Sequence, residues 1–184
     1  MLTHPTHEKL RTLKLYGMAK SFEEQTAAHD YDDLSFEERM GLLIDREMTE
    51  QENRRLTSRL KRAKLRQSAS VEDIDYGQKR GLDKTLMKSL AQCAWVREHL
   101  NILLTGPCGV GKSYVACALG HKACLEGHKV LYFRATRLFE DLALAKGDGR
   151  YARLMTTIAK TDLVIIDDWG LSILNNQERT DLLE

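Results

Sequence analysis

Between Gly106 and Ser113 the chain reads GPCGVGKS. The spacing GxxxxGK followed by a hydroxyl residue is met by Gly106, Gly111, Lys112 and Ser113, with a further glycine at Gly109. Such a bare loop suits one chemistry, the cradling of phosphate. Glycines take positive φ without strain, so backbone N–H groups turn inward where no side chain blocks an anion. Lys112 can reach the β and γ phosphates of a nucleoside triphosphate, and the Ser113 hydroxyl can ligate Mg²⁺. The candidate nucleotide contacts are Gly106, Pro107, Cys108, Gly109, Val110, Gly111, Lys112, Ser113 and Tyr114.

A phosphate loop needs a carboxylate at the end of another strand, and DLVIIDDWG supplies two. Asp167 follows four apolar residues and is the expected Mg²⁺ partner of Ser113. Asp168 is the expected catalytic carboxylate beside Lys112, there to orient the attacking water. Aspartate is one methylene shorter than the glutamate common at that position in ATPases of this architecture. The alternative is that the pair merely terminates a strand. No NKxD segment is present, which argues for ATP over GTP. The loop does not continue as GxGxxG, which argues against a dinucleotide.

The elements around the loop fit this chemistry. NILLT is a short apolar run leading into the glycines, and a helix over about 112–126 follows, closed by Gly127. KVLYFR and DLVII read as two further buried strands, with helices over about 136–146 and 150–160 between them. Strands alternating with helices predict a parallel sheet, and so an α/β class with a P-loop core. Upstream, Leu10, Leu13, Met18 and Phe22 predict a helix over 7–28. Ser35 and Glu38 form a capping box that opens a long helix reaching about Arg66. Its expected inner stripe is Phe36, Met40, Leu43, Met48, Leu56, Leu60 and Ala63. Residues 67–82 read as a linker, and Asp83 to Glu98 as a helix. The expected organisation is an all-α domain over 1–70 and an α/β domain over 71–184.

The long helix carries a segregated charge pattern. Six acids and two arginines lie between Glu37 and Glu52, then seven bases and no acid between Arg54 and Arg66. Arg55, Arg59, Arg62 and Arg66 share one face, with Arg54 and Lys61 on a neighbouring face. Such a face suits the phosphate backbone of double-stranded DNA, with little sequence preference. The alternative is a solvated face paired with the acids upstream.

Of 184 residues, 42% are hydrophobic and 30% charged, which is ordinary for a globular chain with a real core. The start has no apolar core of a signal peptide, and no run is long enough to span a membrane. Cys93, Cys108, Cys117 and Cys124 form no CxxC pair, so reduced thiols in a cytoplasmic protein are expected. The six histidines show no metal-binding spacing. Trp95 and Trp169 are expected to pack, and Tyr76 to border the adenine pocket. Cys108, in a loop that concentrates positive potential, is the expected reactive thiol.

GPCGVGKSYVACALGHKAC, DLVIIDDWGL, VEDIDYGQKRGLDK and ENRRLTSRLKRAKLRQ together resemble IstB, the helper ATPase of one family of bacterial insertion sequences and a DnaC-like member of the AAA+ class. The resemblance extends from LRTLKLYGMAKSFEEQ onward. It implies an ATP- and Mg²⁺-dependent protein that assembles as a homo-oligomer on DNA and assists a partner transposase. It assigns Lys112, Ser113 and Asp167 to the nucleotide site and Asp168 to catalysis. Cys108 stands where similar proteins often carry Thr, a change that phosphate binding should tolerate. The family continues past the helix begun by Asn175 and Glu178 into a strand, a sensor residue, an arginine finger and a lid. The sheet is therefore expected to be incomplete, DNA binding to reside in the basic segment, and turnover by these 184 residues to be low. Two alternatives are a helicase loader on the same core and a non-catalytic DNA-binding fragment.

Overall fold

A computed structural model describes residues 4–77, 81–171 and 173–183. Gln78, Lys79 and Arg80 of the expected linker lie outside the described residues. The chain divides into two compact units, Met1–Thr57 and Ser58–Glu184.

The first unit holds α1 (Pro5–Thr12), α2 (Tyr16–Ala27) and most of α3 (Phe36–Ala63). One continuous helix was expected over 7–28, but the chain breaks at Lys14, where φ is +63°. The last turn of α1 closes with the Lys14 amide on the Arg11 carbonyl and the Leu15 amide on the Leu10 carbonyl. The break has a physical reason. A helix running through would spend the Gly17 and Met18 amides on carbonyls four residues back. Here both are free to donate to Glu47 Oε2, at 2.7 and 3.1 Å. A carboxylate at a helix N-terminus satisfies orphan N–H groups and complements the dipole. Glu47 Oε1 in turn accepts from Gln51 at 3.0 Å and Arg54 at 3.1 Å. Gly17 permits this approach, since a Cβ there would lie 2.6 Å from the Arg46 carbonyl oxygen.

The capping box of α3 forms as expected. The Ser35 amide donates to Glu38 at 2.8 Å, and the Glu38 amide to Ser35 Oγ at 3.3 Å. The expected inner stripe is corrected. Leu43 and Ala63 are buried, but Phe36 and Met48 are exposed, and the buried residue beside Met48 is Glu47. Hydrophobicity alone chose Met48, whereas the α2 N-terminus chose Glu47.

In the second unit, α4 (Lys84–Leu90) and α5 (Ala94–Arg97) replace the single helix expected over 83–98. Cys93, at φ +56°, separates them. Asp83 caps α4 by accepting from the Thr85 amide at 2.7 Å. Trp95 packs as expected, its indole N–H on the Leu90 carbonyl.

After the glycine loop come α6 (Lys112–Leu125), β1 (Val130–Arg134), α7 (Ala135–Gly147), α8 (Tyr151–Ala159), β2 (Leu163–Asp167) and α9 (Asn176–Leu183). Strands β1 and β2 are parallel, in a register that pairs Val130 with Leu163 and Arg134 with Asp167. On one face Tyr132 and Ile165 join a core with Val115, Ala118 and Leu119 of α6. On the other, Phe133 and Ile166 pack with Leu138, Phe139 and Leu142 of α7 and with Leu154 and Ile158 of α8. Gly120 brings α6 close to the sheet, since a Cβ there would meet Ile165 at 2.7 Å and Leu65 at 3.0 Å.

The expected strand at 101–105 joins no ladder among the described residues. Ile102 and Leu104 pack against the α6 core while Leu103 is 84% exposed, so the in–out alternation of a strand persists. A strand also needs a neighbour for its backbone groups, and β1 and β2 pair only with each other here. The architecture is thus a P-loop α/β core with an incomplete parallel sheet, preceded by α-helices.

Candidate nucleotide-binding site

The loop has the backbone shape its glycines promise. Gly106, Gly109 and Gly111 have φ of +146°, +83° and +94°, and Gly111 is the N-cap of α6. Helix α6 therefore points its unpaired N–H groups and positive dipole end toward the loop. A Cβ on Gly109 would meet nothing within 4 Å. The positive φ values and the open space beside Gly109 are compatible with a phosphate chain on the loop. Lys112 Nζ is folded onto the loop, donating to the Gly106 and Pro107 carbonyls at 2.9 and 2.8 Å. Beside the loop lies a groove of about 520 Å³, whose lining mixes Ile74, Leu82, Val110 and Tyr114 with Asp73, Asp75 and Lys112. Its apolar side chains would suit a base. Tyr76, expected to border the adenine pocket, packs against the core but is not among the residues lining this groove, and its ring lies 5.6 Å from Lys84 Nζ. Cys108 is exposed.

The Ser113 hydroxyl faces Asp167 across the site, close enough to favour the ionised carboxylate. Asp167 Oδ2 accepts from the Tyr132 hydroxyl at 2.6 Å, and Oδ1 from the Asp168 amide at 2.9 Å. Burial pushes the Asp167 carboxyl up, but the Ser113 hydroxyl, the Tyr132 and Asp168 hydrogen bonds and the Arg66 charge outweigh it, and its pKa lies below the usual range. Burial and the same Asp167 bond push the Tyr132 phenol up. A hydroxyl facing a carboxylate with lowered pKa is the hard oxygen donor set a Mg²⁺–nucleotide site uses, so these residues fit the metal.

Asp168 sits at φ +57°, turned out of the strand. Its Oδ2 accepts from Arg134 Nε at 2.8 Å. Arg66 Nη1 lies 3.5 Å from Asp167 Oδ2 and 3.6 Å from Asp168 Oδ2. Three side chains at this site, Arg66, Tyr132 and Arg134, escaped the sequence reading. Strand alternation and the pairing of Arg134 with Asp167 carry a signal for the last two. Nothing local carries one for Arg66.

The expected DNA-binding residues separate into two groups. Arg54 is tied to Glu47 and lies 5.0 Å over the Tyr16 ring. Arg59 donates to the Cys124 carbonyl at 2.8 Å, and Arg66 lies on the two aspartates. Arg55, Lys61 and Arg62 are exposed, as is Lys64. Arg59, Lys61, Arg62 and Arg66 fall in the unit of the phosphate loop rather than in the first unit. Trp169 is 49% exposed, which corrects the expectation that it packs. No helix among the described residues is long and apolar enough to cross a membrane.

Comparison with known proteins extends this picture over the whole chain. Residues 8–184 match the family model described as IstB-like ATP binding protein. A relative from Sinorhizobium fredii, y4pL, named as an insertion sequence ATP-binding protein, is 52% identical over all of this chain and 75% of its own length. One from Pseudomonas fluorescens, named as an ATP-binding protein of insertion sequence IS1162, is 48% identical over all of this chain and 80% of its own length. Another from Sinorhizobium fredii, y4uH, is 41% identical over all of this chain and 74% of its own length. With the phosphate loop, the paired aspartates and these matches in hand, the chain belongs to the family of IstB-like ATP-binding proteins.

Proposed function

We propose that this chain binds ATP with Mg²⁺ and turns it over only slowly by itself, binds double-stranded DNA through its basic segment, and assembles on DNA as a homo-oligomer to assist the transposase of an insertion sequence. The observation that carries the nucleotide part is a loop of positive-φ glycines that runs into the α6 N-terminus, with Ser113 in the first turn facing Asp167 at the end of β2. The names of the relatives supply the insertion-sequence context. The exposed Arg55, Lys61, Arg62 and Lys64 supply cations for phosphates.

The roles follow from position. Loop amides and the α6 N-terminus bind the phosphates. Lys112 exchanges its two carbonyl partners for phosphate oxygens. Ser113 and Asp167 would hold Mg²⁺, which supplies charge neutralisation between the phosphates. Asp168, fixed by Arg134, orients the water that adds to the γ phosphorus as the bond to the bridging oxygen breaks, giving ADP and phosphate. The segment carrying Lys61, Arg62 and Lys64 lays its charges along the DNA backbone.

Lys112→Ala tests the nucleotide part. It should weaken Mg²⁺–ATP binding by about 100-fold, the loss of roughly 3 kcal/mol expected when a charged hydrogen-bonding group is removed from phosphate. Titration with a fluorescent ATP analogue reads this directly, and unchanged affinity would defeat the assignment.

A further inference from the structure

The end of the basic segment reaches the nucleotide site through a single side chain. Leu65 packs against Gly120 of α6, in the core beneath the sheet. Its neighbour Arg66 is thereby set over the ends of β1 and β2. There it lies within 3.6 Å of both Asp167 and Asp168, beside the Tyr132 hydroxyl that donates to Asp167. The Arg66 side chain is 43% exposed, against 13% for Asp167. The pair is therefore wet on the arginine side, and such pairs are weak and exchangeable. Lys61, Arg62 and Lys64, just upstream, are exposed. Arg66 thus offers one guanidinium to two anions, the Asp167–Asp168 pair and any polyanion drawn to the segment.

The carboxylate Arg66 covers is the one a divalent cation would need. A guanidinium on Asp167 Oδ2 and a metal on the same carboxylate compete, because each brings positive charge to one oxygen pair. A phosphate that takes Arg66 leaves Asp167 open. Resting on the ATP- and DNA-binding reading above, we propose that Arg66 is the coupling residue between the two ligands. It latches Asp167 and Asp168 while the protein is free and transfers to a DNA phosphate when duplex binds, so that DNA and Mg²⁺–nucleotide strengthen each other. Arg66 acts through Asp167 and does not itself touch the reacting phosphate. Linkage makes the effect reciprocal, and couplings of this kind amount to about 5- to 150-fold. A half-exposed pair belongs at the lower end, about 5- to 10-fold.

The test measures binding of a fluorescent ATP analogue and of a plain 30-base-pair duplex, each with and without the other. In the wild-type chain, duplex should tighten Mg²⁺–nucleotide binding about 5- to 10-fold. In EDTA the same duplex should change nucleotide affinity by less than about twofold, since the coupling runs through the carboxylate that holds the metal. Arg66→Ala should bind Mg²⁺–nucleotide without DNA as tightly as the wild type does with it, and the coupling should vanish. Lys64→Ala, which removes a cation without touching the aspartates, should reduce the salt slope by about one and keep the coupling. Equal coupling in EDTA, or coupling that survives in Arg66→Ala, overturns the assignment to Arg66. Binding of both ligands with no coupling in the wild type overturns it as well. A wild-type chain that binds neither ligand refutes the functional reading itself. The EDTA comparison needs no variant, so a poorly folding Arg66→Ala does not shelter the proposal.

Discussion

Glu47 in the first unit and Asp167 in the second are both carboxylates drawn away from water, and both face an arginine. Their partners differ in kind. Glu47 is held by two backbone amides, a glutamine and Arg54 at 3.1 Å. Asp167 is held by the Tyr132 hydroxyl, one neighbouring amide and Arg66 at 3.5 Å, with the Ser113 hydroxyl facing it. Backbone donors at a helix start have no alternative partner and cannot turn away. Hydroxyls and a half-exposed guanidinium can. The difference teaches how to tell a structural carboxylate from a working one. Burial and lowered acidity are common to both, whereas exchangeable donors mark only the second.

The contrast is broken most sharply by amide substitution. Glu47→Gln can keep one oxygen on the two backbone amides, but its N–H₂ then faces Arg54, which can only donate, and the buried charge pair is lost, so the variant should destabilise its unit by about 2 to 3 kcal/mol. Asp167→Asn retains an oxygen for the hydroxyls and loses a wet ion pair, and should cost less than about 1 kcal/mol. Urea denaturation of the two variants decides the matter. Equal losses would show that Asp167 is as structural as Glu47.

Acid sharpens the same comparison. Burial works against the Glu47 charge, but its bonds to Gln51, Met18 and Gly17 and the Arg54 charge prevail, so its pKa lies below the usual carboxylate value. The sign follows from that direction. The unfolded chain takes up a proton first, near pH 4.3, so the stabilisation is complete above that value and is lost as pH falls through the lower folded value. The stability gap between wild type and Glu47→Gln should therefore narrow between about pH 5 and pH 3. A gap that widens as acid is added would contradict the charge-based account.

A smaller effect compares the exposed loop with the interior of the same unit. Cys108 is exposed in the loop, whereas Cys124 is buried and its thiol is pushed up to about 11, chiefly by that burial. At pH 8 only about one Cys124 in a thousand is a thiolate. A maleimide should label Cys108 first and Cys124 far more slowly, as mass spectrometry of the digest would show. ATP should then protect Cys108 alone. Equal protection of both would mean that nucleotide acts on the whole unit and not on the loop.

How much could be read in advance depended on the range of each cause. The phosphate loop was legible because its geometry is set by residues within one turn of each other. So were the capping boxes at Ser35–Glu38 and Asn175–Glu178, and the stop at Gly127. The breaks at Lys14 and Cys93 were not. Both are non-glycine residues at positive φ, and their cost is met by contacts outside the local window. The strand expected at 101–105 shows the same limit. Its alternation was local and is present, but a ladder depends on a neighbour.

The sequence by itself determined the chemistry available: a glycine cradle, a lysine, a hydroxyl, two adjacent aspartates and a run of bases. Those follow from residue type and spacing of a few positions, where the chain's own stereochemistry dictates the outcome. Only the tertiary structure decided which base meets which acid. Arg54 and Arg66 look alike in the sequence, where one continuous helix was expected, yet α3 ends at Ala63 and one is tied to Glu47 while the other lies over Asp167 and Asp168. That choice rests on Gly17 and Gly120, whose missing side chains let distant segments close in. Coulomb attraction falls off with distance and says nothing of partners until packing has set those distances.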